Sequence, residues 1–163
     1  MRNLTLVAVV SLLMASSGSA ETPDPQLMAP IQKFIDNFNK GDMAAAAATH
    51  AATADLAILD EVSPHLWRGA QAFQAWSADL DGDSKKRGIT DQTVTICPAT
   101  RVETSGEHAY VVVPAVYTFK ERGVAMREAA QMTVTLKKGA GGWLIHGWAW
   151  TGPKPQPVAP AKP

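Results

Sequence analysis

Apolar positions along this chain follow two regimes. In the first half they recur every three or four residues, and from Ile89 onward they gather into Val-, Ile- and Thr-rich runs. Over "PDPQLMAPIQKFIDNFNKGD" the residues Leu27, Met28, Ile31, Phe34, Ile35 and Phe38 make one apolar face, which predicts a first helix. Pro30 is expected in its first turn, where a missing N–H does little harm. Lys40-Gly41 reads as a stop, and Asp42 as the cap of a short second helix, "MAAAAATH". "ADLAILDE" predicts a short strand with Leu56, Ile58 and Asp60 on one face. "GAQAFQAWSADLDGD" predicts a third helix with Phe73, Trp76 and Leu80 in one stripe, and "DGDSKKRG" a polar loop.

The second regime is β. "ITDQTVTICPATRVE", "HAYVVVPAVYTFKE", "VAMREAAQMTVTLKK" and "WLIHGWAW" are long strand patterns divided by short glycine-containing turns, as in an antiparallel meander. Pro98 and Pro114 predict bends or bulges. Cys97, within such a run, is expected to be a buried, inert thiol. Three helices followed by a long bent sheet predict an α+β domain, with the N-terminal helices on the concave face of a curved antiparallel sheet. A pocket remains wherever the helices do not fill that concavity. "TGPKPQPVAPAKP" predicts a disordered Pro-rich tail over 153–163.

Composition narrows the setting. Leu4 to Met14 is an apolar run too short to span a bilayer, and "SSGSA" supplies small residues before an expected cut after Ala20. Residues 1–20 therefore read as a signal peptide, and the product as a periplasmic or secreted protein with no membrane attachment after cleavage. The domain is expected over 21–152, roughly 130 residues being one ordinary domain. The 15 basic and 15 acidic residues form no basic block, which argues against nucleic acid as a partner. A single cysteine excludes an internal disulfide. Four dispersed histidines give no metal-ligand spacing, so neither metal nor cofactor is expected.

The stretches "FIDNFNKGD", "LAILDE" leading to "WRG", "AYVVVPAVYTFK" and "GGWLIHGWAW", in this order, resemble the nuclear transport factor two-like superfamily over roughly Pro25 to Gly152. The resemblance implies a cone-shaped α+β fold, one shared by ketosteroid isomerases and SnoaL-like polyketide cyclases, and that fold hosts many functions. The resemblance places the isomerase base at Asp60, nine residues before Gly69. It places the isomerase tyrosine at Phe34, and the second acid near Gln131-Met132-Thr133, where no carboxyl group stands. Losing one oxyanion donor typically costs ~10²–10³ in rate, so steroid isomerisation is not expected.

Two readings of the chain stay open. One is an exported, non-catalytic domain that binds a small apolar or aromatic molecule. The other is an acid–base enzyme of the polyketide cyclase or isomerase type. Asp60 is the candidate catalytic group, or else a carboxylate that only ends its strand. Phe34, His65, Trp67, Trp76, Glu128 and Met132 are candidate ligand-binding residues. His65 could equally be an exposed loop residue, and the tryptophans plain core. Glu128 shares strand parity with the apolar Met126 and Met132, so it lines a pocket unless a bend turns it to solvent. In the last strand Trp143 has opposite parity to Trp148 and Trp150. That predicts indole surface on both faces and a homodimer across the sheet.

Overall fold

The apolar stripe of the first helix forms α1 (Pro25–Lys40), which buries Leu27, Ile31, Phe34 and Ile35. The computed structural model describes residues 25–159; the expected signal segment (1–20) and the end of the tail (160–163) lie outside the described residues. Pro25 takes the start of α1, so Pro30 falls in the second turn, not the first, and packs buried. Asp42 caps α2 (Met43–Ala47), its side chain accepting from the Ala45 N–H at 2.9 Å.

Two short strands follow, β1 (Ala57–Leu59) and β2 (Leu66–Arg68), paired antiparallel. Three residues between polar neighbours are too few for alternation to reveal β2 in the sequence. α3 (Ala72–Arg87) runs through the stretch expected to be a polar loop. Where its apolar period ends, Asp81–Lys85 and Asp83–Arg87 pairs at four-residue spacing sustain it. Its basic last turn suits the negative helix end, and Gly88, with φ of 70°, closes it.

The sheet continues with β3 (Ile89–Ile96), β4 (Arg101–Ser105), β5 (His108–Glu121), β6 (Val124–Gly139), β7 (Gly142–Thr151) and β8 (Gln156–Pro157). The strand order is β2-β1-β7-β6-β5-β3, with β4 also on β5 and β8 also on β6. It is a mixed sheet, not purely antiparallel, because β1 lies parallel to β7. The long β5 carries β3 against one end and β4 against the other. The chain breaks between them at residues 97–100, which leaves Cys97 exposed and not buried as expected. Asn39 docks α1 onto β3 by exchanging two 2.8 Å hydrogen bonds with the Val94 backbone.

Inward positions of β5 and β6 face the helices. Val111, Val113, Met132, Val134 and Leu136 are all at most 1% exposed and meet Leu27, Ile31 and Ile58 in one core. In β7 the pairing shifts between Thr135↔Gly147 and Leu136↔Ile145, leaving His146 as an extra residue. This bulge resets the side-chain parity. Ile145 and Trp148 are therefore both buried, and Trp143 and Trp150 pack against the same core, so the expected opposite parity of Trp143 does not occur.

The tail also departs from expectation. Gln156 and Pro157 pair with Arg127 and Met126, and the Val158 N–H donates to the Ala125 carbonyl at 2.8 Å. Proline is tolerated there because β8 lies at a sheet edge. Among the described residues no helix is long and apolar enough to cross a membrane.

Candidate functional site

Between the helices and the concave side of the sheet lies a cavity of about 540 Å³. α1 contributes Phe34 and Phe38, one turn apart. α3 contributes Trp76, Leu80, Asp83 and Arg87, a stripe that begins apolar and ends charged. β5 and β6 contribute Tyr117, Phe119, Met126, Glu128 and Met132, all on the inward alternation. Trp148 and Trp150 of β7 close one wall, and Lys154 and Pro155 of the tail stand beside it.

Asp60 follows β1 and keeps the inward parity of Leu56 and Ile58. One carboxylate oxygen accepts from the Trp76 indole N–H at 2.5 Å, and the other from the Glu61 backbone N–H. Burial pushes its pKa up, against the opposing pull of these donors and of nearby His65. Glu128 is 2% exposed, so the alternative of a solvent-facing bend is excluded. It accepts from the Trp150 indole N–H at 3.0 Å. Burial, then the neighbouring Glu61 and Asp60 charges, push it up to about 7. A Cβ at Gly152 would collide with this carboxylate, so any side chain there would force Glu128 to move.

Tyr117 is the direct cross-strand partner of Glu128. Its hydroxyl donates to Gln92 Oε1 at 2.6 Å, and Gln92 in turn donates to Ser84 Oγ at 3.3 Å. A pairing shift between Thr90 and Thr93, with Asp91 at φ 55°, sets Gln92 in this position. Burial and the surrounding carboxylates raise the phenol's pKa and keep it protonated. Arg87 is held by a two-pronged contact with Glu121, both N···O distances 3.1 Å, and by Asp83 at 3.3 Å.

Of the residues singled out from the sequence, Asp60, Phe34, His65, Trp76, Glu128 and Met132 all line this cavity. His65 is exposed, at φ 77°, and its Nδ1 lies 3.2 Å from the Asp60 carbonyl oxygen, not from its carboxylate. Trp67 is misplaced by the sequence reading. It is buried outside the cavity, and its indole donates to Asp79 Oδ2 at 2.8 Å. β2 turns it toward α3, an orientation that an unrecognised strand could not reveal.

Tyr117, Arg87, Glu61 and His50 were missed. The parity of β5 could have flagged Tyr117, and the bidentate Arg87–Glu121 contact had no local signal. His50 lies beneath the cavity, 6% exposed, its ring 4.9 Å from that of Phe34. Its Nδ1 is 3.1 Å from the Ala46 carbonyl, and its Nε2 accepts from the Trp148 indole at 3.1 Å. Burial lowers it to about 4, so it is a neutral imidazole.

This architecture matches solved structures across most of their length. A type 2 hexachlorocyclohexane dehydrochlorinase (LinA) superposes with a TM-score of 0.64 at 14% identity, covering 80% of this chain and 88% of that one. A ketosteroid isomerase-like protein from Erwinia carotovora gives 0.59 at 22% identity, covering 77% and 92%. A nuclear transport factor 2-like protein from Salmonella enterica gives 0.64 at 14% identity, covering 78% and 89%. The chain has the nuclear transport factor 2-like fold. Proteins of this fold include enzymes and proteins of unknown function. No protein-family model and no curated protein matches the sequence.

Proposed function

We propose that this protein is an exported domain that binds a small, largely aromatic or apolar molecule in the cavity between α1, α3 and the sheet. The observation that carries the reading is the make-up of that cavity. Aromatic walls from four elements surround two carboxyl groups, Asp60 and Glu128, each held by an indole N–H. Apolar walls with a few oriented polar groups are what a small-molecule site requires. The apolar run and small-residue exit in residues 1–20 support export.

Native mass spectrometry of the protein purified from its own cells tests this. The expected result is a non-covalent adduct of small-molecule mass that is lost in Met132→Trp, which fills the cavity. Identical spectra for both proteins would refute it.

A second reading, acid–base catalysis on the bound molecule, is favoured by the difference between the two carboxyls. Burial raises both, but Asp60 accepts two hydrogen bonds that stabilise its anion, whereas Glu128 accepts one and is pushed up to about 7. Such a separation gives one base and one acid. The missing donor at Phe34 matters less than the sequence implied, because Glu128 brings a carboxylic acid to the cavity from another position, while the Tyr117 O–H is taken by Gln92. On this reading Asp60→Asn abolishes turnover of the co-purified molecule even at saturating concentration; unaltered turnover would reject it.

A further inference from the structure

The cavity has a charge character that its aromatic walls do not require. Five carboxylate side chains line it, Asp60, Glu61, Asp83, Glu121 and Glu128, against Arg87 and Lys154. Arg87 is already committed to Glu121 and Asp83. Among the described residues no lysine or arginine lies within salt-bridge distance of Asp60, Glu61 or Glu128. Glu128, at 2% exposure, takes one hydrogen bond, on Oε1, and its other oxygen has no hydrogen-bond partner among the described residues. A buried carboxylate with a free oxygen facing a cavity is a group lacking its counter-charge.

The same cavity presents the rings of Tyr117, Phe119 and Trp150, with centroids 4.7 to 6.3 Å apart, beside Glu128. Trp76 and Trp148 meet edge to face at 5.0 Å on the Asp60 side. Aromatic faces attract cations through their ring quadrupoles, most strongly where water is excluded. No three acidic, histidine or cysteine side chains among the described residues are grouped tightly enough to hold a metal ion. The missing charge is therefore spread over organic dimensions and not focused at a point.

We propose that the cavity selects an organic cation, an aromatic molecule bearing a protonated amine, whose ring packs among the tryptophans and whose ammonium lies between Glu128 and Asp60. This inference rests on the cavity being a binding site, as proposed above, and adds the charge of the occupant. Neutral aromatics leave Glu128 without its partner. Aromatic acids bring a third negative charge to Asp60 and Glu128 and are rejected.

Calorimetric titration of the full chain with three probes of one ring system decides it: 2-(1-naphthyl)ethylamine, 2-(1-naphthyl)ethanol and 1-naphthylacetate, at about pH 8, where the amine stays protonated. The amine is expected to bind at least about tenfold more tightly than the alcohol, and the carboxylate more weakly than either. Glu128→Gln is expected to erase most of the amine's advantage over the alcohol. Equal affinity for amine and alcohol, or preference for the carboxylate, overturns the inference and leaves the binding function standing. Binding of none of the three overturns both. Should Glu128→Gln fail to fold, the three-probe series on the unaltered protein still decides the charge preference.

Discussion

Glu128 is the residue on which most of the chemistry turns, and its titration has a definite sign. Its pKa rises from 4.5 to about 7 on folding, so between those values the native state holds a proton that the unfolded state has lost. Stability from this group therefore falls as pH rises through that window. Asp60 is shifted in the same direction. His50 has the opposite slope, because a neutral buried imidazole with a pKa of about 4 loses its contribution as pH falls from 6.5. The comparison that isolates Glu128 is thermal unfolding of the wild type and Glu128→Gln across pH 4 to 8. The gap in Tm should shift progressively in favour of the variant as pH rises, and a pH-independent gap would contradict the assignment. Trp76→Phe keeps the ring but removes the indole donor to Asp60. The Asp60 carboxyl, followed by carbon NMR, should then titrate at higher pH than in the wild type, since that donor stabilises the anion.

At the scale of elements, the link from β7 to β8 bears directly on the site. Gly152 passes over the Glu128 carboxylate and close to Ala130, so an added side chain would have to displace Glu128. Gly152→Ala is expected to destabilise the fold by about 1–3 kcal/mol, the usual range for overpacking, measured by denaturant unfolding. An unchanged midpoint would mean that β8 does not hold the position described. The elements that the sequence disclosed best are those whose packing follows one period. The stripe of α1 and the cap at Asp42 were both readable, as was the inward parity of Asp60 and Glu128. The elements it hid obey a rule that periodicity does not carry. α3 continues on charge pairs after its apolar face ends, and β2 is three residues long. β7 inserts His146, after which a count by twos assigns Trp143 to the wrong side. The proline-rich tail finds a sheet edge, a long-range pairing with no local signal.

At the scale of the whole molecule, that bulge changes what the tryptophans can be for. Trp143, Trp148 and Trp150 all pack toward the core, so indole surface no longer supports association across the sheet. A homodimer stays a proposal drawn from the fold resemblance alone. Accordingly, Trp150→Ala is expected to weaken ligand binding without altering the sedimentation coefficient of the folded protein; a change in assembly would show that Trp150 serves an interface. The five indoles also divide by position. Trp76, Trp148 and Trp150 line the cavity, whereas Trp67 and Trp143 do not. The most direct measurement is therefore a proton–nitrogen correlation spectrum of the five indole N–H groups during titration with 2-(1-naphthyl)ethylamine. The Trp76, Trp148 and Trp150 resonances should move together and saturate at one ligand per chain, with Trp67 and Trp143 nearly still. Five unmoved resonances, or shifts centred on Trp67, would contradict the account.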